Sequence, residues 1–141
     1  MVKHLICVIV LFWAVSNVYS ASVKEDYESQ EKCGKKCEDI FKKEYGTVIS
    51  TRDEQMLNNY QSHYSKKLNK CFILLTSTIY PKDKTVDVFY MKLLFDVNDK
   101  KEYGSFDKFR KDPVPLSCYV SGKRCVSEQE WDLLAKPYME N

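Results

Sequence analysis

From Lys24 to Tyr45 the apolar residues return with helical spacing: Cys33, Cys37, Ile40, Phe41 and Tyr45 fall near one stripe, and Lys35, Lys36, Glu38, Asp39, Lys42 and Lys43 fill the remainder. The spacing predicts an amphipathic helix with Gly46 as its stop. Thr51-Arg52-Asp53-Glu54 has the form of a capping box and predicts a short helical turn through about Leu57. Tyr60, Ser62 and Tyr64 then alternate with Gln61 and His63, a strand pattern, and the polar run Ser65 to Asn69 connects it to the next element. Lys70 to Tyr80, rich in Phe, Ile, Leu and Thr, reads as a central strand covered on both faces.

Pro81-Lys82-Asp83-Lys84 is a turn. The run Val86 to Val97 follows, with Phe89, Met91, Leu93, Phe95 and Val97 on one face and Val88, Tyr90, Lys92, Leu94 and Asp96 on the other. Asn98-Asp99-Lys100 turns the chain back into a third meander strand from Glu102 to Phe106. Pro113 and Pro115 make the next segment an edge or loop. Ser127 with Glu130 forms a second capping box, and Trp131, Leu134 and Ala135 give an apolar stripe that Pro137 is expected to end. Helix, strands, helix predicts an α+β domain: an antiparallel sheet of three to four strands with an N-terminal and a C-terminal helix packed on it, reinforced by disulfides.

The first twenty residues change the chemistry expected of the rest. Lys3 and His4 form a polar start, Leu5 to Val15 an apolar stretch, and Val18-Tyr19-Ser20 a cleavage region, so residues 1–20 read as a signal peptide and 21–141 as a single domain. The product is expected to be secreted or periplasmic, with no transmembrane segment after cleavage. Of six cysteines, Cys7 leaves with the signal; Cys33, Cys37, Cys71, Cys118 and Cys125 enter an oxidising compartment, where an odd number leaves one thiol over. Ser121-Gly122, midway between Cys118 and Cys125, is a two-residue turn signal that sets those cysteines opposite each other at bridging distance. Cys33 and Cys37, one helical turn apart, point side by side and are poor partners for each other. One of them is expected to bridge to Cys71.

With a formal charge of +2, falling toward neutral once Lys3 is removed, and lysine pairs scattered among acids, no nucleic acid partner is implied. The four glycines stand singly, so no phosphate-cradling loop exists and no cofactor is expected. Cys33, Cys37, His63 and Cys71 could in principle make a tetrahedral zinc set, but their spacing matches no common finger, and no metal is expected in an exported oxidised chain. A nucleophile pair of Cys37 or Cys33 with His63 is the alternative reading, a thiol-dependent hydrolase. Asp96 with Asp99, and Glu128 with Glu130, sit at turn and cap positions that account for them without glycosidase chemistry. Tyrosine is abundant, and Tyr60, His63, Tyr64, Tyr80, Tyr90 and Lys92 form a candidate binding face on adjacent strands.

Ser62-His-Tyr-Ser-Lys-Lys-Leu-Asn-Lys-Cys-Phe72, Leu94-Phe-Asp-Val-Asn-Asp-Lys-Lys-Glu-Tyr-Gly104, the later cysteine pair and Glu130-Trp-Asp-Leu-Leu-Ala-Lys-Pro-Tyr138 together cover most of the chain after residue 20. In these segments it resembles a group of exported bacterial proteins of unassigned activity that carry a HYN-x-KLNKCF segment, with Ser65 here in place of the Asn. The resemblance implies export and a shared fold, and no mechanism. It also favours Cys33 as the partner of Cys71 and leaves Cys37 as the free thiol. The function expected is that of a secreted or periplasmic non-enzymatic domain that binds a protein or an envelope component.

Overall fold

The computed structural model describes residues 24–140; the expected signal peptide lies outside them. Helix α1 spans residues 24–40 and closes in a π turn over Phe41–Tyr45, where the Gly46 amide donates back to the Phe41 carbonyl at 2.7 Å. Gly46 stops it with φ 65° and ψ 159°, a conformation open to glycine and costly for other residues. Seven strands follow as one continuous antiparallel meander: β1 Val48–Ser50, β2 Glu54–Ser65, β3 Lys70–Pro81, β4 Phe89–Asp96, β5 Lys101–Phe109, β6 Ser117–Val120 and β7 Lys123–Arg124. Helix α2, Glu128–Met139, ends the chain's regular structure.

The α+β class holds, and the strand count exceeds the expected three to four. The four long strands carry apolar patterns long enough to read in a sequence: alternation where one face is covered and a continuous run in β3, covered on both. The additional β1, β6 and β7 have 3, 4 and 2 residues, too short for a period of two to register. The expected helical turn at Thr51 is instead the β1–β2 reversal. Thr51 Oγ1 accepts from the amides of Asp53 and Glu54 at 3.3 and 3.1 Å, and the Thr51 amide donates to the Glu54 carbonyl at 2.9 Å. A hydroxyl that would cap a helix serves equally to close a turn, and the pairing of Met56 and Leu57 with β1 decides between them. Pro137 does not stop α2: the helix continues to Met139, and the Tyr138 ring meets Phe72 and Tyr103 at centroid distances of 5.3 Å.

The helices lie on opposite faces of the sheet. Cys71, Ile73 and Leu75 of β3 point to one side and form a core with Cys33, Cys37 and Phe41 of α1 and with Val97. Phe72, between them, points to the other side and joins Leu94, Phe106 and Val120 beneath Trp131 and Ala135 of α2. β3 is therefore apolar at consecutive positions, as a strand covered on both faces must be. Trp131, fully buried, donates its indole N–H to the Tyr119 carbonyl at 3.1 Å and so ties α2 to β6. Two bridges staple these layers: Cys33–Cys71 joins α1 to β3, and Cys118–Cys125 closes the β6–β7 hairpin. In that hairpin Ser121 and Gly122 both have positive φ, 51° and 79°, as the two-residue turn requires.

Candidate functional site: the uncovered end of the sheet

Both helices cover the end of the sheet near the β2–β3 turn, and the other end stays open. Strand register writes its surface row by row. On the α2 side, Val48, Leu57, Thr78, Tyr90 and Lys108 lie directly opposite one another across β1 to β5. Tyr80 stands one step further along β3 on the same side, opposite Gln55. The apolar members are open to solvent, with Val48 54%, Leu57 40%, Tyr80 42% and Tyr90 37% exposed. Asn59, Thr76 and Lys92 make the next row toward α2. On the α1 side of the same end, Ile49, Met56, Ile79, Phe89 and Phe109 form a continuous apolar row over five strands, with the Phe89 and Phe109 rings 5.0 Å apart.

α2 lies on the same face as Tyr80 and Tyr90, beyond the Asn59, Thr76 and Lys92 row. A groove of about 710 Å³ runs along the helix, lined by Leu74 of β3 and by Trp131, Asp132, Leu133, Lys136 and Met139. Lys92 reaches from that row to the helix: its ammonium lies 2.7 Å from Glu128 and 2.7 Å from Asp132, above the Trp131 ring at 5.5 Å from the centroid. Burial opposes that charge, yet hydrogen bonds to Asp132 and Glu128 hold its pKa above the ordinary lysine value. The ammonium is thus committed to the α2 junction. What remains for recognition is a flat surface of ring, methyl and hydroxyl groups, with Lys108 at its edge.

The six residues of the sequence-derived face divide between the two sides of the sheet. Tyr80, Tyr90 and Lys92 share the α2 side, and His63 shares it as a buried residue opposite Phe72. Tyr60 and Tyr64 point to the α1 side, opposite Leu75 and Cys71. The Tyr60 ring packs on Phe41 with centroids 4.5 Å apart, and the Tyr64 hydroxyl bonds Asn69 at 2.8 Å. Sequence reasoning missed Val48 and Leu57, because the segment before Tyr60 carries a cap-like motif, and Thr78, because the run Lys70 to Tyr80 reads as a strand covered on both faces. The alternation Met56, Leu57, Asn58, Asn59 becomes legible only once β1 is paired beside it.

The sulfur residues make a different arrangement. Cys33 is bridged, and Cys37 is a free, fully buried thiol whose Sγ lies 3.7 Å from that of Cys71. Desolvation raises its pKa from 9.0 to about 11, against a smaller opposing effect of Lys36. His63 lies across the sheet from this thiol, so neither a Cys37–His63 nucleophile pair nor a zinc set that includes His63 is assembled. Asp96 and Asp99 both hold Lys70, and Glu130 accepts the Val126 amide at 2.9 Å, so these carboxylates have structural partners. Beside α1 a second groove, of about 490 Å³, has an apolar floor of Ile40, Tyr45, Leu93, Phe95 and Val97 under charges of both signs. Among the described residues no helix is long and apolar enough to cross a membrane. Comparison with protein-family models, with curated proteins and with solved structures finds no match to this chain.

Proposed function

We propose that this chain is an exported, non-enzymatic binding domain that holds a protein partner on the uncovered end of its sheet. The observation that carries the reading is the exposure of Val48, Leu57, Tyr80 and Tyr90 on one patch of paired strands. Tyrosine suits such a surface because its ring contributes apolar contact area while its hydroxyl stays hydrated before binding. Both helices contact the sheet elsewhere, so a partner meets this surface without disturbing the core. The bridges support the role by keeping α1 and the β6–β7 hairpin in place outside the reducing cytoplasm.

The test compares the wild-type chain with Tyr80→Ser/Tyr90→Ser in affinity capture from the exported protein fraction of the source cells. These positions are surface-exposed, so thermal stability should move little. The expected result is a protein retained by the wild type and lost by at least tenfold with the double variant. A photo-crosslinker at position 90 should join the same protein. Equal capture by both chains, or no crosslink from position 90 to the captured protein, would overturn the assignment.

A further inference from the structure

The sulfurs of Cys33, Cys37 and Cys71 all lie within 4.8 Å of one another and are buried between α1 and β3. Two chemistries compete for such a cluster. Exchange of the bridge onto Cys37 needs the attacking sulfur in line with the bond it breaks. With a contact of 3.7 Å to Cys71 and a disulfide bond of ~2.05 Å, an in-line arrangement sets Cys33 roughly 5.7 Å from Cys37. The cluster is a compact triangle instead. A triangle is what a metal ion asks for: tetrahedral thiolate ligands at about 2.3 Å from a zinc-like ion stand about 3.8 Å apart. The separation of Cys37 and Cys71 already has that value.

We propose that, when a dithiol reductant opens the Cys33–Cys71 bridge, Cys33, Cys37 and Cys71 take up one thiophilic divalent cation of the zinc class. Two electrons and two protons pass from the dithiol to the bridge, and the dithiol closes into its own disulfide. Binding then displaces three thiol protons as three sulfur–metal bonds form. α1 supplies two ligands one helical turn apart, and β3 supplies the third. The ion therefore links the same two elements as the bridge, and α1 stays on the sheet under reducing conditions. With His63 on the other face, the protein offers three sulfur donors from this cluster, and a fourth position falls to water or an added ligand. Lys36, whose charge favours the Cys37 thiolate, offsets part of the negative charge gathered there.

The experiment uses the full chain after signal removal, reduced with dithiothreitol that is then removed by gel filtration under argon, with cadmium as the probe. Cadmium–thiolate charge-transfer absorption should saturate at one tightly bound ion per chain. Alkylation of the cluster thiols should slow at least tenfold, and the melting temperature should rise relative to the reduced, metal-free chain. Cys37→Ala keeps the hairpin cysteines and the other two cluster cysteines, so it isolates the third ligand; its cadmium affinity should fall by about a hundredfold. Zinc should compete for the same site in the wild type. Equal affinity in Cys37→Ala places the ion on other thiols and overturns the proposal. A reduced chain that takes up no cadmium, or that stays unfolded by circular dichroism with cadmium present, also overturns it.

Discussion

Removing Cys33 and removing Cys71 should have very different consequences, although both belong to one bridge. The bridge closes a loop with a sequence separation of 38. Chain-entropy treatment of a loop of that size assigns it about 4 kcal/mol at 25 °C. Cys71→Ala leaves two thiols side by side on α1, where they are poorly placed to bridge, and the whole contribution is lost. In Cys33→Ala, Cys37 still faces Cys71 at 3.7 Å, with a separation of 34. Oxidation can then close a replacement bridge whose loop entropy differs from the original by only ~0.1 kcal/mol. The loss in that variant reduces to the missing sulfur contacts, on the order of 1 kcal/mol. Urea unfolding of both variants, purified oxidised, gives the two values, and thiol counting in denaturant gives the pairing: no free thiol in Cys33→Ala and two in Cys71→Ala. If Cys33→Ala is as unstable as Cys71→Ala and also releases two thiols, the sulfur triangle is not accessible to Cys37 and the reasoning fails. If neither variant loses stability, the bridge is not what holds α1 to the sheet.

Other outcomes follow from single contacts. Gly104→Ala should destabilise by about 1–3 kcal/mol by urea melt, because its Cβ would stand 2.8 Å from the Tyr119 carbonyl oxygen, a backbone atom held in the β5–β6 ladder; a neutral result would show that this ladder can spread. Trp131→Ala should cost about 3–5 kcal/mol and release α2, read as loss of near-ultraviolet dichroism, since the indole is fully buried and bonds β6. Cys37 should react with a thiol reagent only after denaturation, giving one equivalent: with its pKa raised from 9.0 to about 11 its thiolate is about a hundredfold scarcer at neutral pH, before burial is counted. Because the folded-state pKa is the higher one, the stability tied to the protonated thiol is complete below about pH 9 and is lost as pH rises through about 11. The urea midpoint should accordingly fall less steeply over that range in Cys37→Ala than in the wild type.

Local pattern was sufficient wherever an element is long and one-sided. The stripe Cys33, Cys37, Phe41 fits α1, Ser127 with Glu130 marks the start of α2, alternation marks β4 and the part of β2 from Tyr60 onward, a continuous apolar run marks β3, and the turn Asn98 to Lys100 announces β5. Ser121-Gly122 likewise announces its turn, because positive φ at two successive residues is a local demand. Strand parity also contained a distinction that the candidate face overlooked: His63 is an odd number of residues from Tyr60 and from Tyr64, so one strand cannot show all three on one side. What the tertiary structure decided depends on partners far away in sequence. Thr51 closes a turn and not a helix because β1 pairs with β2, and strands of two to four residues exist only as additions to longer neighbours. Lys92 belongs to the α2 junction because Glu128 and Asp132, distant in sequence, are carried over it by α2 on the same face of the sheet. The open face itself is a matter of coverage: an exposed Tyr90 and a covered Leu94 stand on the same side of one strand, and only the placement of α2 over one half of the sheet separates them. Periodicity states which side of an element a residue takes, while burial depends on whether another element lies over that side, and that is settled by packing between distant parts of the chain.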